Sequence, residues 1–523
     1  MKQTATKLPI GIQSFEQIRT GGYMYIDKTG YIRDLVNEGK YYFLSRPRRF
    51  GKSLLISTLE AYFRGQKELF EDLEISGGET AWTPYPVLHL DLNTSEYKGV
   101  DDLRTLLSDF VSTAARRHGV TDDTALPVPL RFKKLVENIS AAESRNVVIL
   151  VDEYDKPLLS AVDDADRYGE LQSLLKAFYG VIKTCDSHIR FAMITGVGRF
   201  GHVSVFSDLN NLNDISIDEE YNGLCGVSES ELSAYFGEYI ESMASRNRLS
   251  ADATAGRLRE MYDGYRFSNP EFTEGIYNPF SLLNALKKRA FGEYWFESGT
   301  PTFLIKLLMN ENFDFSRLEF DVRENVLKGV NVPDKSVVAL LYQTGYLTIK
   351  RFDPVSGLYT IGLPNREVES GFYSLSYSVY SSANETEFDS TRFCADLREG
   401  NVEGFMQRLK SLFASVPHEQ AINTEATFHN LIFLLFTLLG YQTGSETHVS
   451  KGVSDLVVRT QEFVYIFEFK YGKTSAEAMK QIADRRYAAP YAADGRQIVT
   501  IGVNFSPSLR NIDTWESRTV SEE

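Results

Sequence analysis

An α/β fold is predicted, with a mostly parallel sheet bearing a phosphate-binding loop, a helical and wing-like middle region, and a smaller αβββαβ unit at the C-terminal end. Three observations carry this. Strand-like and helix-like segments alternate between Tyr41 and Thr195. The stretch Ser45-Arg46-Pro47-Arg48-Arg49-Phe50-Gly51-Lys52-Ser53 follows a short apolar run (41–44) and precedes a helix-like run (54–63). A further apolar run, 147–151, ends in Asp152 and Glu153.

A strand, a loop ending in Gly-Lys-Ser and a helix form the context of a P-loop. The loop of Arg46, Pro47, Arg48, Arg49, Phe50 and Gly51 is expected to face phosphates at a helix N-terminus through its backbone N–H groups, which all but Pro47 carry. Lys52 is expected to reach the β- and γ-phosphates, and the Ser53 hydroxyl to hold Mg²⁺. Arg46 stands where the general pattern G-x-x-x-x-G-K-[ST] has its first glycine. Asp152 is expected to bind Mg²⁺ through water and Glu153 to polarise the attacking water. A core strand that ends in acids is the bland alternative. The two motifs in this order favour nucleotide chemistry.

Thr195 ends the run 189–195 and is expected to contact the γ-phosphate or the attacking water. Arg199, just beyond, is expected to neutralise developing charge. A plain strand-exit turn at 195–199 is the alternative. In open α/β sheets ligands sit at the carboxyl ends of strands, which gathers these groups on one edge.

Composition sets bounds. A chain of 523 residues predicts about two to four domains. The 43% hydrophobic fraction argues for filled cores rather than disorder. A formal net charge of -15 excludes a globally basic nucleic-acid binder, so such a surface has to be a local patch. Cys185, Cys225 and Cys394 have no paired spacing, which argues against a zinc site or disulfide framework. With no long apolar run and no signal-like N-terminus, the expectation is a cytoplasmic protein without a membrane partner.

Taken in order, residues 1–226 read as the nucleotide domain. Thr29 is expected to N-cap a helix over 31–38. Strands are expected at 41–44, 86–92, 147–151 and 189–195, with helices at 54–63, 103–117, 130–144 and 168–185. Residues 227–363 read as a helical lid (229–245, 253–261, 279–289) and a winged-helix-like region. The lid encloses an aromatic turn, Tyr262-Asp263-Gly264-Tyr265-Arg266-Phe267. The wing is a helix at 337–344, a strand at 346–352, a turn at 353–357 and a strand at 358–363. Residues 364–417 read as linking helices, and 418–523 as the last domain.

That last domain carries a second chemistry. Glu425 opens an apolar helix (426–439), followed by strands at 441–449, 453–459 and 463–469, a helix at 476–487 and a strand at 497–505. Asp455 lies in the second strand, and Glu468-Phe469-Lys470 ends the third. Residues two apart share a face, so Glu468 and Lys470 point the same way. A hairpin brings Asp455 beside them, and two carboxylates make a Mg²⁺ or Mn²⁺ site. Lys470 is placed to activate water or stabilise charge on a phosphorus centre. This is the D…E-x-K pattern of PD-(D/E)XK nucleases, which have a restriction-endonuclease-like fold. Glu425 is a further candidate ligand. Gln481 and Tyr487 are candidates to brace Lys470 or contact a phosphate backbone. A solvated strand end with an ion pair is the alternative.

The whole pattern resembles a bacterial family in which an AAA-ATPase-like domain is fused to a PD-(D/E)XK nuclease-superfamily domain. The resemblance rests on Tyr25-Ile26-Asp27-Lys28-Thr29, on the 46–53 loop, on Val151-Asp152-Glu153-Tyr154-Asp155-Lys156-Pro157 and on Phe206-Ser207-Asp208-Leu209-Asn210-Asn211-Leu212. It continues through 262–267 and Tyr277-Asn278-Pro279, then Glu425, Gly452, Asp455, 465–470 and Gln481-Ile482. The family has an arginine at the position of Arg46. It usually has Gly-Arg before the aspartate motif, where this chain has Gly452-Val453-Ser454-Asp455.

The resulting expectation is an ATPase, using ATP and Mg²⁺, coupled to a metal-dependent nuclease acting on DNA or RNA. Nucleic acid would lie along a local basic groove that includes Lys470, Lys473, Lys480, Arg485 and Arg486. A homo-oligomer is left open. The alternatives are a signalling or scaffold ATPase whose nuclease-like domain only binds nucleic acid or protein, and a nucleotide switch with negligible turnover.

Overall fold

Strands β1 (Tyr41–Ser45), β2 (Val87–Asp91), β3 (Val147–Asp152), β4 (Ile189–Gly196) and β5 (Asn213–Asp214) form one parallel sheet, ordered β2-β3-β4-β1-β5. The computed structural model describes residues 7–94, 96–162, 164–199, 205–295, 308, 313, 315, 318–329, 336–381, 390–414, 425–439, 447–449, 452–454 and 456–520. The chain divides into two compact units, residues 1–300 with 319–368, and residues 301–318 with 369–523.

Strand β3, flanked by β2 and β4, is buried at every residue. This is why it reads as an unbroken apolar run, since parallel sheets are covered on both faces. On one face the helices Val100–Arg117, Val128–Glu143 and Ala165–Thr184 close the core, with Phe132 stacked on Phe178 at 4.3 Å. The expected strands and helices of this region all form. The two-residue β5 pairs with β1 and has no apolar signature of its own.

Two local expectations change. The helix expected from 31 starts earlier, at Thr29, with Lys28 at the cap position. Thr29 is a helix residue whose N–H and hydroxyl both donate to the Asp27 carboxylate, at 2.9 and 2.6 Å. The single lid helix expected over 229–245 is two, Glu229–Tyr235 and Gly237–Asn247. The chain breaks at Phe236, 1% exposed, whose ring is drawn into the lid core with Leu232, Met243, Leu258 and Leu282.

Helix Val337–Thr344 is followed by a hairpin, as expected of a wing. Strands β6 (Phe320–Arg323), β7 (Thr348–Asp353) and β8 (Leu358–Gly362) form an antiparallel sheet ordered β6-β8-β7. The Asp353 carboxylate shapes the hairpin turn by accepting from the N–H groups of Val355 and Ser356. Gly357 closes the turn at φ +68°, a conformation that favours glycine.

In the second unit, β9 (Thr447–Val449) and β10 (Gly452–Ser454) pair as a short antiparallel hairpin. Strands β11 (Leu456–Arg459), β12 (Phe463–Tyr471), β13 (Gln497–Ser506) and β14 (Asn511–Val520) form a mixed sheet in sequence order. Only β12 and β13 run parallel. Helices Val402–Ala414 and Glu425–Leu438 cover one face through rings, Phe405 with Phe467 at 6.0 Å and Phe428 with Phe469 at 5.5 Å. The helices at 390–414, read from sequence as part of a linker, belong to this unit. Helix Ser475–Arg485 covers the other face, where Met479 and Ile482 meet Val464 and Ile466. Strand β14 was not expected.

Candidate functional site

Strand register assembles the first site. Leu44 pairs with Thr195, Ser45 with Gly196, and Val151 with Ile194. The start of the 46–51 loop, Asp152 and Thr195 therefore share the carboxyl edge of the sheet. The loop turns into the helix Lys52–Phe63 at Gly51, whose φ of +96° strains any residue with a side chain. Ser53 is the second residue of that helix.

Lys52 is 4% exposed. Its ammonium donates to the carbonyls of Arg46 and Pro47, at 3.1 and 3.4 Å, and stands 3.5 Å from a Glu153 carboxylate oxygen. The Thr195 hydroxyl donates to Asp152 Oδ1 at 2.6 Å. Glu153 sits at φ +56°, a left-handed conformation that costs about 1–3 kcal/mol at a non-glycine residue. Its N–H donates to Asp152 Oδ1, and the next N–H, of Tyr154, donates to the Thr195 carbonyl. The turn beyond Asp152 is thereby tied to β4, which offsets the strain.

Asp155 completes this support. It is fully buried and accepts from the N–H groups of Val197 and Gly198, at 3.2 and 2.8 Å. Burial, then the nearby Glu153 charge, push its carboxyl up to about 7 against those two donors. Asp155 thus holds the 196–198 turn that follows Thr195.

Two expected nucleotide contacts are engaged elsewhere: the Arg46 N–H donates to the Gly196 carbonyl at 3.2 Å, and the side chains of Arg46 and Arg199 are both buried. The Arg46 guanidinium, 1% exposed, donates to the carbonyls of Ser45, Ser216 and Tyr221 and lies over the Phe267 ring at 4.1 Å. Arg199, 2% exposed, is ion-paired with Asp214 at 2.9 Å and donates to the Leu327 carbonyl. Its own N–H donates to Gln343 Oε1 at 2.7 Å. Both guanidinium groups join the nucleotide domain to the middle region.

The rest of the loop is held against the middle region as well. Phe50 is held edge-on between Tyr265 and Phe267, at 4.8 and 5.5 Å. Arg49 lies over Phe280 at 4.7 Å. Pro47 packs so closely on Gly345 that a Cβ there would meet it at 2.6 Å. Trp295 Nε1 donates to the Arg48 carbonyl at 3.3 Å. The aromatic turn 262–267 is therefore a brace for the loop.

Beside Gly51 lies an apolar cavity of ≈ 120 Å³, lined by Ile26, Phe50, Leu54, Leu55, Val227 and Leu283 among others. Lys28, also in its wall, is ion-paired with Glu231 at 2.5 Å.

In the second unit, Glu468 is 1% exposed and accepts from Lys470 Nζ at 2.8 Å. Both share the face of Val464 and Ile466, under helix Ser475–Arg485. Glu468 pairs in register with Gly502, where a Cβ would come within 2.8 Å of the Ser475 carbonyl. Gly502 thus lets the helix approach next to the carboxylate. Lys470 pairs with Asn504, whose side chain accepts from the Lys473 N–H at 2.9 Å.

Gln481 donates to the Tyr487 hydroxyl at 3.1 Å, and Tyr487 is buried in the core beneath the helix. Glu425 is the first residue of its helix. Asp455 lies outside the described residues. It precedes Leu456, which pairs with Phe467, and Glu468 follows Phe467. Lys473, Lys480, Arg485 and Arg486 are exposed at or along the helix, interspersed with exposed Glu477 and Asp484.

Sequence reasoning missed Asp155, Trp295, Gln343, Gly345 and Gly502. Asp155 alone had a signal, as a third carboxylate two residues after Glu153. The others act through long-range packing.

The fold and the two sites define a P-loop ATPase-type unit joined to a nuclease-superfamily unit. Residues 9–206 match the family model described as a predicted AAA-ATPase, and residues 423–515 match that of the PD-(D/E)XK nuclease superfamily. A protein of Azotobacter chroococcum mcd 1, "Uncharacterized protein in vnfD 5'region", is 36% identical over 518 residues, 97% of this chain and 98% of that one. The chain belongs to this family of AAA-ATPase-like proteins with a C-terminal PD-(D/E)XK domain.

Among solved structures, the Aeropyrum pernix ORC1 protein in complex with DNA is 13% identical, covering 66% of this chain and 92% of that chain, with a TM-score of 0.26. The Aeropyrum pernix ORC2 protein (ADPNP-ADP complexes) is 11% identical, covering 67% and 93%, with a TM-score of 0.24. Likeness at this level carries no argument. No described helix is long and apolar enough to cross a membrane.

Proposed function

We propose that this protein binds and hydrolyses ATP at the carboxyl edge of the five-stranded sheet, and that this activity controls a metal-dependent nuclease-like unit acting on DNA or RNA phosphodiesters. The observation that supports it most is the convergence of Lys52, Asp152, Glu153 and Thr195 on one edge, with Thr195 bonded to Asp152 at 2.6 Å and Lys52 within 3.5 Å of Glu153.

Lys52 now caps two loop carbonyls, and the same ammonium is suited to phosphate oxygens. The loop N–H groups of 48–51 would bind the phosphates, with Arg46 and Arg199 acting through packing rather than contact. The apolar cavity beside Gly51 is suited to the base. Asp152 and the Ser53 hydroxyl are a fitting oxygen donor set for Mg²⁺, which supplies charge neutralisation at the phosphates. Glu153 orients and polarises the attacking water, and Thr195 holds Asp152 in place.

In the second unit, Glu468 and Asp455 would hold Mg²⁺ or Mn²⁺, which supplies Lewis-acid activation of the phosphodiester. Glu425 would add a carboxylate. Lys470 would stabilise charge on the phosphorus centre, and Gln481 would stay paired with Tyr487 as a support. Nucleic acid would follow the exposed cations near helix Ser475–Arg485, in the cytoplasm. The test is incubation with DNA and RNA, with Mg²⁺ or Mn²⁺, with and without ATP. ATP-responsive cleavage lost in Lys470→Ala supports the reading. ATP turnover with nucleic-acid binding but no cleavage by the wild type would favour a scaffold ATPase instead, in line with Val453 standing where the family pattern usually has an arginine.

A further inference from the structure

A second cavity, of ≈ 30 Å³, lies between the β1 end and the wing. Arg46, Arg199 and Arg266 line it, and no carboxylate is among the described residues of its wall. The guanidinium Nε groups of all three are buried and meet no acceptor among the described residues. Arg46 and Arg199 are nearly inaccessible, at 1% and 2%. The two cations also repel each other, and burial first, with Arg199 contributing, pushes Arg46 down to about 10.

Acidic groups stand nearby but not in the wall. Asp214 pairs with Arg199 directly. Asp218 acts on Arg46 and Arg199, and Asp263 on Arg266, only through space. A buried donor without an acceptor is costly, and a buried cation more so. One water accepts two such N–H groups. An anion answers three donors and the charge together.

We propose that this cavity is a binding site for a small inorganic anion, chloride or phosphate, held by Arg46, Arg199 and Arg266. The site is distinct from the nucleotide edge: the Arg46 carbonyl faces Lys52, while its guanidinium runs the other way, to Ser216 and Tyr221. The anion would fasten the wing to the sheet and stabilise the folded state by mass action.

The test is thermal unfolding of the full chain at constant ionic strength, replacing gluconate by chloride in one arm and by phosphate in another. Wild type is expected to show a saturable rise of roughly 2–5 °C in at least one arm. The arm that responds identifies the anion. Lys52→Ala is expected to keep the rise, and Arg266→Gln to lose it. A rise lost in Lys52→Ala but kept in Arg266→Gln would place the anion on the phosphate loop and overturn the proposal. So would equal melting in all three salts. Should Arg266→Gln not fold, wild-type crystals soaked in bromide, standing in for chloride, and in arsenate, standing in for phosphate, give the answer. An anomalous peak in the cavity with either ion supports the site, and a cavity empty with both overturns it.

Discussion

The Lys52 ammonium stands 3.5 Å from the Glu153 carboxylate, joining the loop that would bind phosphate to the residue that would activate water. The pair is held from both sides, by the carbonyls of Arg46 and Pro47 on Lys52 and by the left-handed backbone at Glu153. On the proposed reading, a nucleotide phosphate entering the loop would draw Lys52 from Glu153 and free the carboxylate for water. Glu153→Gln is therefore expected to keep ATP binding within a few-fold and to lower turnover by about 100-fold or more. Steady-state hydrolysis measures this, and an unchanged rate would remove Glu153 from the catalytic role.

Arg46→Gly restores the general loop pattern, yet it is expected to harm this protein. It deletes three hydrogen bonds to backbone carbonyls and the stack on Phe267, leaving buried acceptors behind. A loss of about 2–4 kcal/mol is expected in urea unfolding. Stability equal to wild type would show that the arginine is dispensable.

Glu367 gives a pH signature. It is 1% exposed and accepts from the N–H groups of Tyr294 and Trp295, at 2.6 and 2.9 Å, next to the indole that reaches the phosphate loop. Burial outweighs the two donors and pushes its carboxyl from 4.5 up to about 7. The folded state thus binds this proton more tightly than the unfolded one. Its contribution is full below about pH 4.5 and is lost as pH rises to about 7. Glu367→Gln is expected to remove about 2–3 kcal/mol of that decline. Parallel stability–pH curves for the two proteins would contradict it.

Gly502→Ala tests the second unit. The added Cβ would come 2.8 Å from the Ser475 carbonyl and 2.9 Å from the Met479 N–H nitrogen, both helix backbone. Overpacking of about 1–3 kcal/mol is expected, seen as earlier melting of this unit by calorimetry. An unaltered transition would mean that the helix does not press on β13 beside Glu468.

Much of the architecture was legible because its signals are local. The β3 run is apolar throughout because it is covered on both faces, and the Asp353 to Gly357 turn carries its own hydrogen-bonding residues. Strand β14 was not legible because it is an edge strand, mostly exposed and without apolar alternation. The meeting of the 46–51 loop, Asp152 and Thr195 at one sheet edge was readable from the strand–loop–helix order around Gly51-Lys52-Ser53 and from the strand ending in Asp152-Glu153. The side-chain direction of Arg46 was not, since its partners at Ser216, Tyr221 and Phe267 lie about 170 or more residues away. In the second unit the Glu468 and Lys470 pairing followed from their spacing of two. The packing glycine opposite Glu468 depends on the β12–β13 register, which sequence does not display.

The central claim is nucleotide binding at the Lys52 edge. Calorimetric titration of ATP–Mg²⁺ into the full chain and into its Lys52→Ala variant tests it most directly. Saturable heat with the wild type and none with the variant is the predicted result. Matching isotherms, or no heat from either protein, would contradict it.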